Sequence, residues 1–196
     1  MDLARRGARV ILACRSVEKG ERAAVEVRKR SGNENVVFVQ LNLASIKSIR
    51  AFADKICQEE PCINILVNNA GIFSTSVKTT EDGFESIFGV NHLGPFLLTN
   101  LLLDKIKESP SPRIVNVSSV AHKRNTIDFN SLNSQTYPIV RYGRSKLANI
   151  LFTKSLAKRL EGCGVIVTSL NPGNVRTDIW KGTPSFLVSN ILYSYS

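Results

Sequence analysis

Short apolar runs alternate with longer amphipathic segments along the whole chain, and this alternation restricts the fold more than any other feature of the sequence. Apolar runs predict buried strands and amphipathic segments predict helices. Strands are predicted at residues 8–14, 36–41, 63–67, 113–117 and 165–170, and helices at residues 17–31, 45–60, 139–161 and from Thr79 or Thr80 to about 108. Because strand and helix alternate, we expect an α/β fold with a doubly wound parallel sheet and helices on both faces.

A doubly wound sheet binds its ligands beyond the carboxyl ends of its strands, so the residues that follow each strand are the candidates for function. One such candidate pair is Tyr142 and Lys146, four residues apart in the last predicted helix. Residues at this spacing lie on one helix face, and a nearby ammonium is expected to lower the pKa of a phenol from its ordinary ~10. The pair is therefore a candidate general acid/base for an alcohol or a carbonyl. The same spacing is also typical of an exposed helix face.

Three further motifs lie at the carboxyl ends of predicted strands: residues 68–71 (Asn-Asn-Ala-Gly), 116–119 (Asn-Val-Ser-Ser) and 171–177 (Asn-Pro-Gly-Asn-Val-Arg-Thr). Small residues allow the backbone to approach a ligand closely, and a serine can hydrogen-bond a substrate oxygen. Each motif is equally compatible with an ordinary turn or cap. The sequence has no Gly-x-Ser-x-Gly elbow and no His or Asp at the spacing of a catalytic triad, which disfavours a hydrolase.

In this order, the four motifs together with Asn91 resemble the short-chain dehydrogenase/reductase family, and the similarity runs from about residue 1 to residue 180. The stretches VNHLGPFLLTNLLLDK and SKLANILFTKSLAKRL are similar to its retinol-dehydrogenase-like branch, and SGNENVVFVQLNLAS resembles the dehydrogenase/reductase SDR family member 13 group. The resemblance implies a Rossmann-like fold and an enzyme that interconverts an alcohol and a carbonyl by hydride transfer. The implied substrate is retinoid-like or otherwise apolar.

The resemblance also implies a role for each site residue. Tyr142 is the implied catalytic acid/base, and Lys146 lowers its pKa and binds the nicotinamide ribose. Ser119 holds the substrate oxygen, and Asn91 orders a water molecule that relays protons. The other residues implied to line the cofactor are Asn68, Ala70, Gly71, Pro172, Gly173, Val175 and Thr177.

The cofactor is expected to be NADP(H), because no acidic residue lies between Arg9 and Val17 at the end of the first strand. An acidic residue there binds the ribose hydroxyls of NAD, whereas an arginine accommodates the 2′-phosphate of NADP. Arg15 is the candidate, and a solvated side chain is the alternative interpretation. Asn42 occupies the position where family members carry an aspartate, so we expect a weaker contact with the adenine.

Two segments depart from the family pattern. The Thr-Gly-x-x-x-Gly-x-Gly loop and the strand before it are not in the sequence, and residues 185–196 do not resemble the family's final strand. We therefore expect a partial Rossmann-type domain over residues 1–180, an atypical tail over residues 181–196, and an open position between the strands 8–14 and 63–67. A truncated chain that is not catalytic and binds no dinucleotide remains an alternative.

The net charge of +10 admits a third interpretation, a protein that binds an anionic membrane or a nucleic acid. No nucleic-acid-binding motif supports the latter, so no such partner is expected, and most of the charge is expected to be solvated. We expect a location on the cytoplasmic side or in association with a membrane, and the family points to the endoplasmic reticulum or mitochondrion. Peripheral membrane contact and a homo-oligomer are open predictions. No segment is expected to be apolar enough to span a bilayer. The four cysteines are expected to be reduced thiols that bind no metal.

Overall fold

The computed structural model describes residues 1–133, 136–173, 175 and 179. Its strands are β1 (Val10–Cys14), β2 (Val36–Gln40), β3 (Ile65–Asn68), β4 (Arg113–Val117) and β5 (Ile166–Leu170). Its helices are α1 (Asp2–Arg5), α2 (Val17–Ser31), α3 (Ile46–Glu59), α4 (Ser86–Phe88), α5 (Gly94–Lys107) and α6 (Pro138–Arg159). A π-helical turn, Gly89–Leu93, joins α4 to α5, and 3₁₀ turns at Val120–Arg124 and Phe129–Ser131 separate β4 from α6.

All strand pairs in the described residues are parallel, which confirms the predicted α/β class with a doubly wound parallel sheet. β1 pairs with β2 from Val10–Val36 to Cys14–Gln40. β4 lies between β3 and β5 and pairs with both. Within the described part of the chain no strand pairs with the remaining edge of β1 or of β3, so the strands form one sheet of two and one of three.

Local capping signals explain why most predicted boundaries agree with the structure to within two residues. The Ser16 hydroxyl accepts a hydrogen bond from the Lys19 amide at the start of α2, and α2 ends at Gly32, which has a φ of +69°. Ser45 caps α3 in the same way through the Ser48 amide. These are side-chain acceptors for helix N–H groups and a left-handed glycine at the C-terminus, which the sequence shows directly.

The prediction that a helix begins at Thr79 or Thr80 is wrong, because the helical segment begins at Ser86. Residues 79–85 form a tight antiparallel bridge between Thr79 and Glu85, with the Thr80 amide bonded to the Phe84 carbonyl at 2.8 Å. Gly83 supplies the left-handed turn, with a φ of +83°. The helix begins only after Glu85, whose carboxylate caps it.

The main core cluster joins the two sheets. Leu41 after β2 and Ile114 in β4 belong to it, together with Phe52 of α3 and Leu102 of α5. A smaller cluster of Ala4, Ala24 and Val36 lies between α1, α2 and the first sheet. Helices therefore cover the strands, and the carboxyl ends of β3 and β4 carry the polar motifs.

The continuous helical segment Ser86–Lys107 is long and apolar enough to cross a membrane by length and composition, contrary to the expectation from the sequence. Half of its most apolar window is buried inside the protein. Leu98, Leu102 and Ile106 lie in the main core cluster. One side of this segment therefore packs inside the protein.

Candidate active site

Helix α6 brings Tyr142 and Lys146 onto one buried face. Tyr142 is 7% exposed and Lys146 is 2% exposed. The Lys146 Nζ lies 5.6 Å from the centre of the Tyr142 ring and donates a hydrogen bond to the Val117 carbonyl at 3.0 Å. The exposed-face alternative is therefore excluded for this pair.

The end of β4 supplies the serines. Ser118 is buried, and its hydroxyl donates to the Lys146 carbonyl at 2.8 Å, which fixes the end of β4 to α6. Ser119 is half-buried and caps the following 3₁₀ turn through the Ala121 amide. Its hydroxyl is also hydrogen-bonded to the Tyr142 side chain. The structure thus brings together Ser119, Tyr142 and Lys146, and their catalytic roles stay predictions.

The pKa values differ from the sequence expectation. Burial raises the pKa of Tyr142 above its ordinary value, and the hydrogen bond with Ser119 opposes that rise to a smaller extent. Burial lowers the pKa of Lys146 to about 8. The expected lowering of the Tyr142 pKa by Lys146 is therefore wrong for this structure, because burial penalises both charged forms and the ammonium is directed at the Val117 carbonyl.

Asn91 lies in the π-helical turn and is fully buried. Its side chain accepts from the Ile72 amide at 2.7 Å and donates to the Ile72 carbonyl at 3.0 Å. It also donates to the Ser145 hydroxyl at 3.2 Å, and its own carbonyl accepts from Asn149. Asn91 therefore clamps the loop after β3 onto α6, and the proton-relay role stays a prediction.

Gly71 of that loop lies beside Lys146 and Asn91, with room for a Cβ in ordinary van der Waals contact. A Cβ at Gly71 would lie 3.4 Å from the Lys146 Nζ and 3.6 Å from Asn91 Oδ1. Ala70 is exposed, whereas Asn68 is buried and donates to Thr99 Oγ1 and Asn116 Oδ1. Residues 69–71 thus lie beside Lys146 with their backbone accessible to a ligand, while the Asn68 side-chain amide is hydrogen-bonded in the protein interior.

The sequence did not predict a set of hydrogen-bonded polar residues that lies buried behind the site. Asn116 donates to Thr153 at 2.9 Å, and Thr153 donates to the Asn149 carbonyl at 2.7 Å. With Asn68 and Thr99, these residues form a buried polar chain that connects β3 and β4 with α5 and α6. The sequence signals that indicate it are the polar residues that recur along the buried face of α6 and the single threonine, Thr99, among the apolar residues of α5.

Arg15 and Asn42, which are predicted to bind the 2′-phosphate and the adenine of the cofactor, lie in different environments. Arg15 is exposed at the end of β1, and among the described residues its guanidinium has no hydrogen bond or ion pair. Asn42 is half-buried, and its side chain accepts from the Ala44 amide at 3.1 Å and donates to Glu81 at 3.4 Å. Arg15 is therefore available to a ligand, whereas Asn42 stabilises its own turn.

The last motif is only partly described. Pro172, Gly173 and Val175 are exposed after β5, and Gly173 has a φ of +74° that favours glycine. Thr177 and the predicted tail 181–196 lie outside the described residues. All four cysteines are free thiols, and the described residues contain no cluster of three or more His, Cys, Asp or Glu residues suited to a metal.

Comparison with known proteins finds a matching family and several relatives. The sequence model of a family described as short chain dehydrogenase matches residues 1–186. The chain is 54% identical over 186 residues to retinol dehydrogenase 13 of Homo sapiens, covering 93% of this chain and 56% of that protein. It is 48% identical over 195 residues to dehydrogenase/reductase SDR family member 13 of Bos taurus, covering 95% and 50%. The chain thus spans about half the length of the curated relatives it matches.

Solved structures show the same fold. A crystal structure of an uncharacterised protein from Mycobacterium paratuberculosis superposes with a TM-score of 0.77 at 38% identity, covering 100% of this chain and 69% of that one. A short-chain dehydrogenase from Sphingobium yanoikuyae in complex with NADPH gives a TM-score of 0.74 at 24% identity, covering 91% and 66%.

Proposed function

We propose, starting from the fact that the chain belongs to the short chain dehydrogenase family, that its site interconverts an alcohol and a carbonyl with NADP(H). The observation that carries this proposal is the meeting of Ser119, Tyr142 and Lys146 at the end of β4. A phenol, a hydroxyl and an ammonium within one buried site are the groups that a carbonyl reduction needs for its proton.

The chain's own residues account for the proton chemistry. Burial keeps Tyr142 protonated at neutral pH, which is the form that donates to a carbonyl oxygen during reduction. Ser119, already bonded to Tyr142, holds the same oxygen, and its hydrogen bond with Tyr142 favours the phenolate that remains. When bound, the nicotinamide cofactor supplies the hydride. In the oxidative direction the phenolate form of Tyr142 accepts the hydroxyl proton and becomes the phenol.

The described residues fit the nicotinamide half and the 2′-phosphate of NADP(H). The open backbone at residues 69–71 lies beside Lys146, which would bind the ribose. Arg15, exposed and without a protein partner in the described chain, would bind the 2′-phosphate. A neighbour of the same fold was solved in complex with NADPH, in agreement with this assignment.

The proposed substrate class is an apolar alcohol or aldehyde. Tyr142 belongs to an apolar cluster with Ile87 and Ala121, and Ile72 and Phe73 pack against it. Several relatives whose sequences are about 50% identical to this chain are retinol dehydrogenases, so a retinoid is the first substrate to test. Association with a membrane and with a second copy remain predictions that accompany this function.

The test measures conversion of all-trans-retinaldehyde to retinol by the full chain with NADPH, detected by chromatography. Tyr142→Phe is expected to lower the rate at least ~100-fold because it removes the donated proton. Tyr137→Phe is the matched control, since Tyr137 lies at the start of the same helix and is 80% exposed. Calorimetry with NADPH accompanies the assay. Absence of binding and turnover would favour the alternative, a chain that does not bind the dinucleotide.

A further inference from the structure

A buried ion pair lies immediately beside the catalytic tyrosine in the chain. Arg141 NH1 is 2.8 Å from Glu85 Oε1, and both side chains are only 2% exposed. Removing two charges from water is costly and is compensated only when further hydrogen bonds satisfy their remaining atoms. The contacts of the pair therefore indicate what it does.

The Glu85 carboxylate holds the helix that leads to Asn91. Its Oε1 accepts from the Ile87 amide at 3.0 Å, and its Oε2 accepts from the Phe88 amide at 2.8 Å. Both oxygens are thus used as a cap for α4, and Oε1 also accepts from Arg141. This cap needs only the carboxylate, so it does not explain the arginine.

The Arg141 guanidinium is directed at backbone carbonyls of two loops. It donates to the Thr136 carbonyl at 3.1 Å, the Ser74 carbonyl at 3.2 Å and the Ser76 carbonyl at 3.5 Å. The planar fork of an arginine carries five N–H donors and reaches several acceptors at once. One side chain of α6 therefore fixes the loop that follows β3.

That loop forms one side of the candidate active site. Phe73 directly precedes Ser74, and its ring packs edge-on against the Tyr142 ring with centres 5.8 Å apart. Arg141 precedes Tyr142 in α6, so the residue that holds the loop and the residue that the loop covers are neighbours. The position of Phe73 over Tyr142 thus depends on contacts made by Arg141.

We propose that Arg141 is a positioning residue that holds residues 74–76 so that Phe73 forms the apolar wall beside Tyr142 and sets the fit of the substrate. Glu85 compensates the buried charge of Arg141, and the backbone carbonyls receive its directed donors. The kinetic part of this proposal rests on the proposed function, whereas its structural part does not.

The decisive variant is Arg141→Lys, because lysine keeps a positive charge for Glu85 but lacks the planar fork. Arg141→Met removes both, and Arg159→Met is the control, since Arg159 is exposed in the same helix. Amide hydrogen exchange followed by mass spectrometry reports on residues 72–78. We expect exchange there to be about tenfold faster in Arg141→Lys, with β4 unchanged.

The kinetic measurement uses all-trans-retinaldehyde and NADPH. We expect the KM for retinaldehyde to rise about tenfold in Arg141→Lys, with kcat and the KM for NADPH changed by less than about threefold. Arg159→Met is expected to match the unmodified chain in both measurements. Should Arg141→Met fail to fold, Arg141→Lys still decides the outcome.

Two results would overturn the proposal. If Arg141→Lys matches the unmodified chain in exchange and in KM, Arg141 only neutralises Glu85. If exchange rises but the KM for retinaldehyde does not, the loop is held but forms no substrate wall. If the unmodified chain shows no turnover, the proposed function fails, while hydrogen exchange still decides whether Arg141 positions the loop.

Discussion

At the scale of single residues, the site depends on burial more than on charge pairing. Tyr142 and Lys146 are both buried, and burial shifts their pKa values towards the neutral forms. The phenol therefore keeps the proton that the proposed carbonyl reduction would use, while the lysine loses part of its charge near neutral pH. Burial of ionisable groups in this way lowers the stability of the fold when the groups are charged.

Lys146→Met tests that cost. The pKa of Lys146 falls from the ordinary 10.5 to about 8, so the unfolded chain binds more protons than the folded chain between these values. The free energy of unfolding should therefore rise as the pH increases from 8 to 10.5, and protonated Lys146 destabilises the fold at pH 7. We expect Lys146→Met to be more stable at pH 7 by about 2 kcal/mol, to lose the pH-dependent rise, and to be inactive.

Urea denaturation between pH 7 and pH 10 measures this effect. Lys154→Met is the control, because Lys154 is exposed on the same helix and its loss should leave the pH-dependent rise intact. An Lys146→Met variant that is less stable than the unmodified chain at pH 7 would contradict the expected penalty of burial.

Arg15 is the residue at which cofactor choice is tested. Arg15→Ala should raise the KM for NADPH about tenfold, because a charge-assisted hydrogen bond to a phosphate is lost. The KM for NADH should remain unchanged, since NADH has no 2′-phosphate. Arg22→Ala, an exposed arginine of α2, serves as the control. An equal loss for both cofactors would assign Arg15 to another role.

Residue identities were predicted from the sequence more fully than their environments. The positions of Ser119, Tyr142 and Lys146 followed from their motifs, and the structure brings them together. The direction of the shift in the Tyr142 pKa did not follow from the motif, because it depends on burial by segments distant in the chain. The ion pair of Arg141 and Glu85 was missed for the same reason, since the two residues are 56 positions apart in the chain.

At the scale of elements, α6 and the 3₁₀ turn after β4 build the site together. Gly143 allows them to approach, since a Cβ there would lie 2.1 Å from Asn125 Nδ2 and 2.5 Å from the Ala121 carbonyl. The same turn begins at Ser119, which bonds to Tyr142. The start of α4, by contrast, could not be predicted from helical periodicity. Residues 79–85 form a tight antiparallel bridge instead of the first helical turns, and this bridge depends on the local turn at Gly83.

Gly143→Ala should therefore separate helix propensity from packing. Alanine favours a helix by up to about 1 kcal/mol over glycine, yet the close backbone contact should make the variant less stable by about 1–3 kcal/mol. Displacement of the turn should also lower kcat for retinaldehyde about tenfold by moving Ser119 from Tyr142. Urea denaturation and steady-state kinetics measure the two effects, with Ser155→Ala as the exposed control in α6. A stabilised, fully active variant would refute this role of Gly143.

At the scale of the whole molecule, two sheets share one core. The main core cluster contains Leu41 beyond β2 and Ile114 of β4, with Ile11 of β1 and Leu66 of β3 packed against it. No described strand joins the two sheets by hydrogen bonds. Helix side chains complete this shared core, among them Leu102 of α5, which is 2% exposed.

Leu102→Ala tests whether the sheets unfold as one unit. Loss of a buried leucine leaves a cavity and should lower the free energy of unfolding by about 2–5 kcal/mol. If the shared core couples the sheets, hydrogen-exchange protection should fall by the same amount in β2 and in β4. Leu151→Ala, at a leucine that is 47% exposed, should change neither strand. A loss confined to β4 would show that the first sheet is stabilised by its own small cluster at Ala24 and Val36, and that the two sheets open independently.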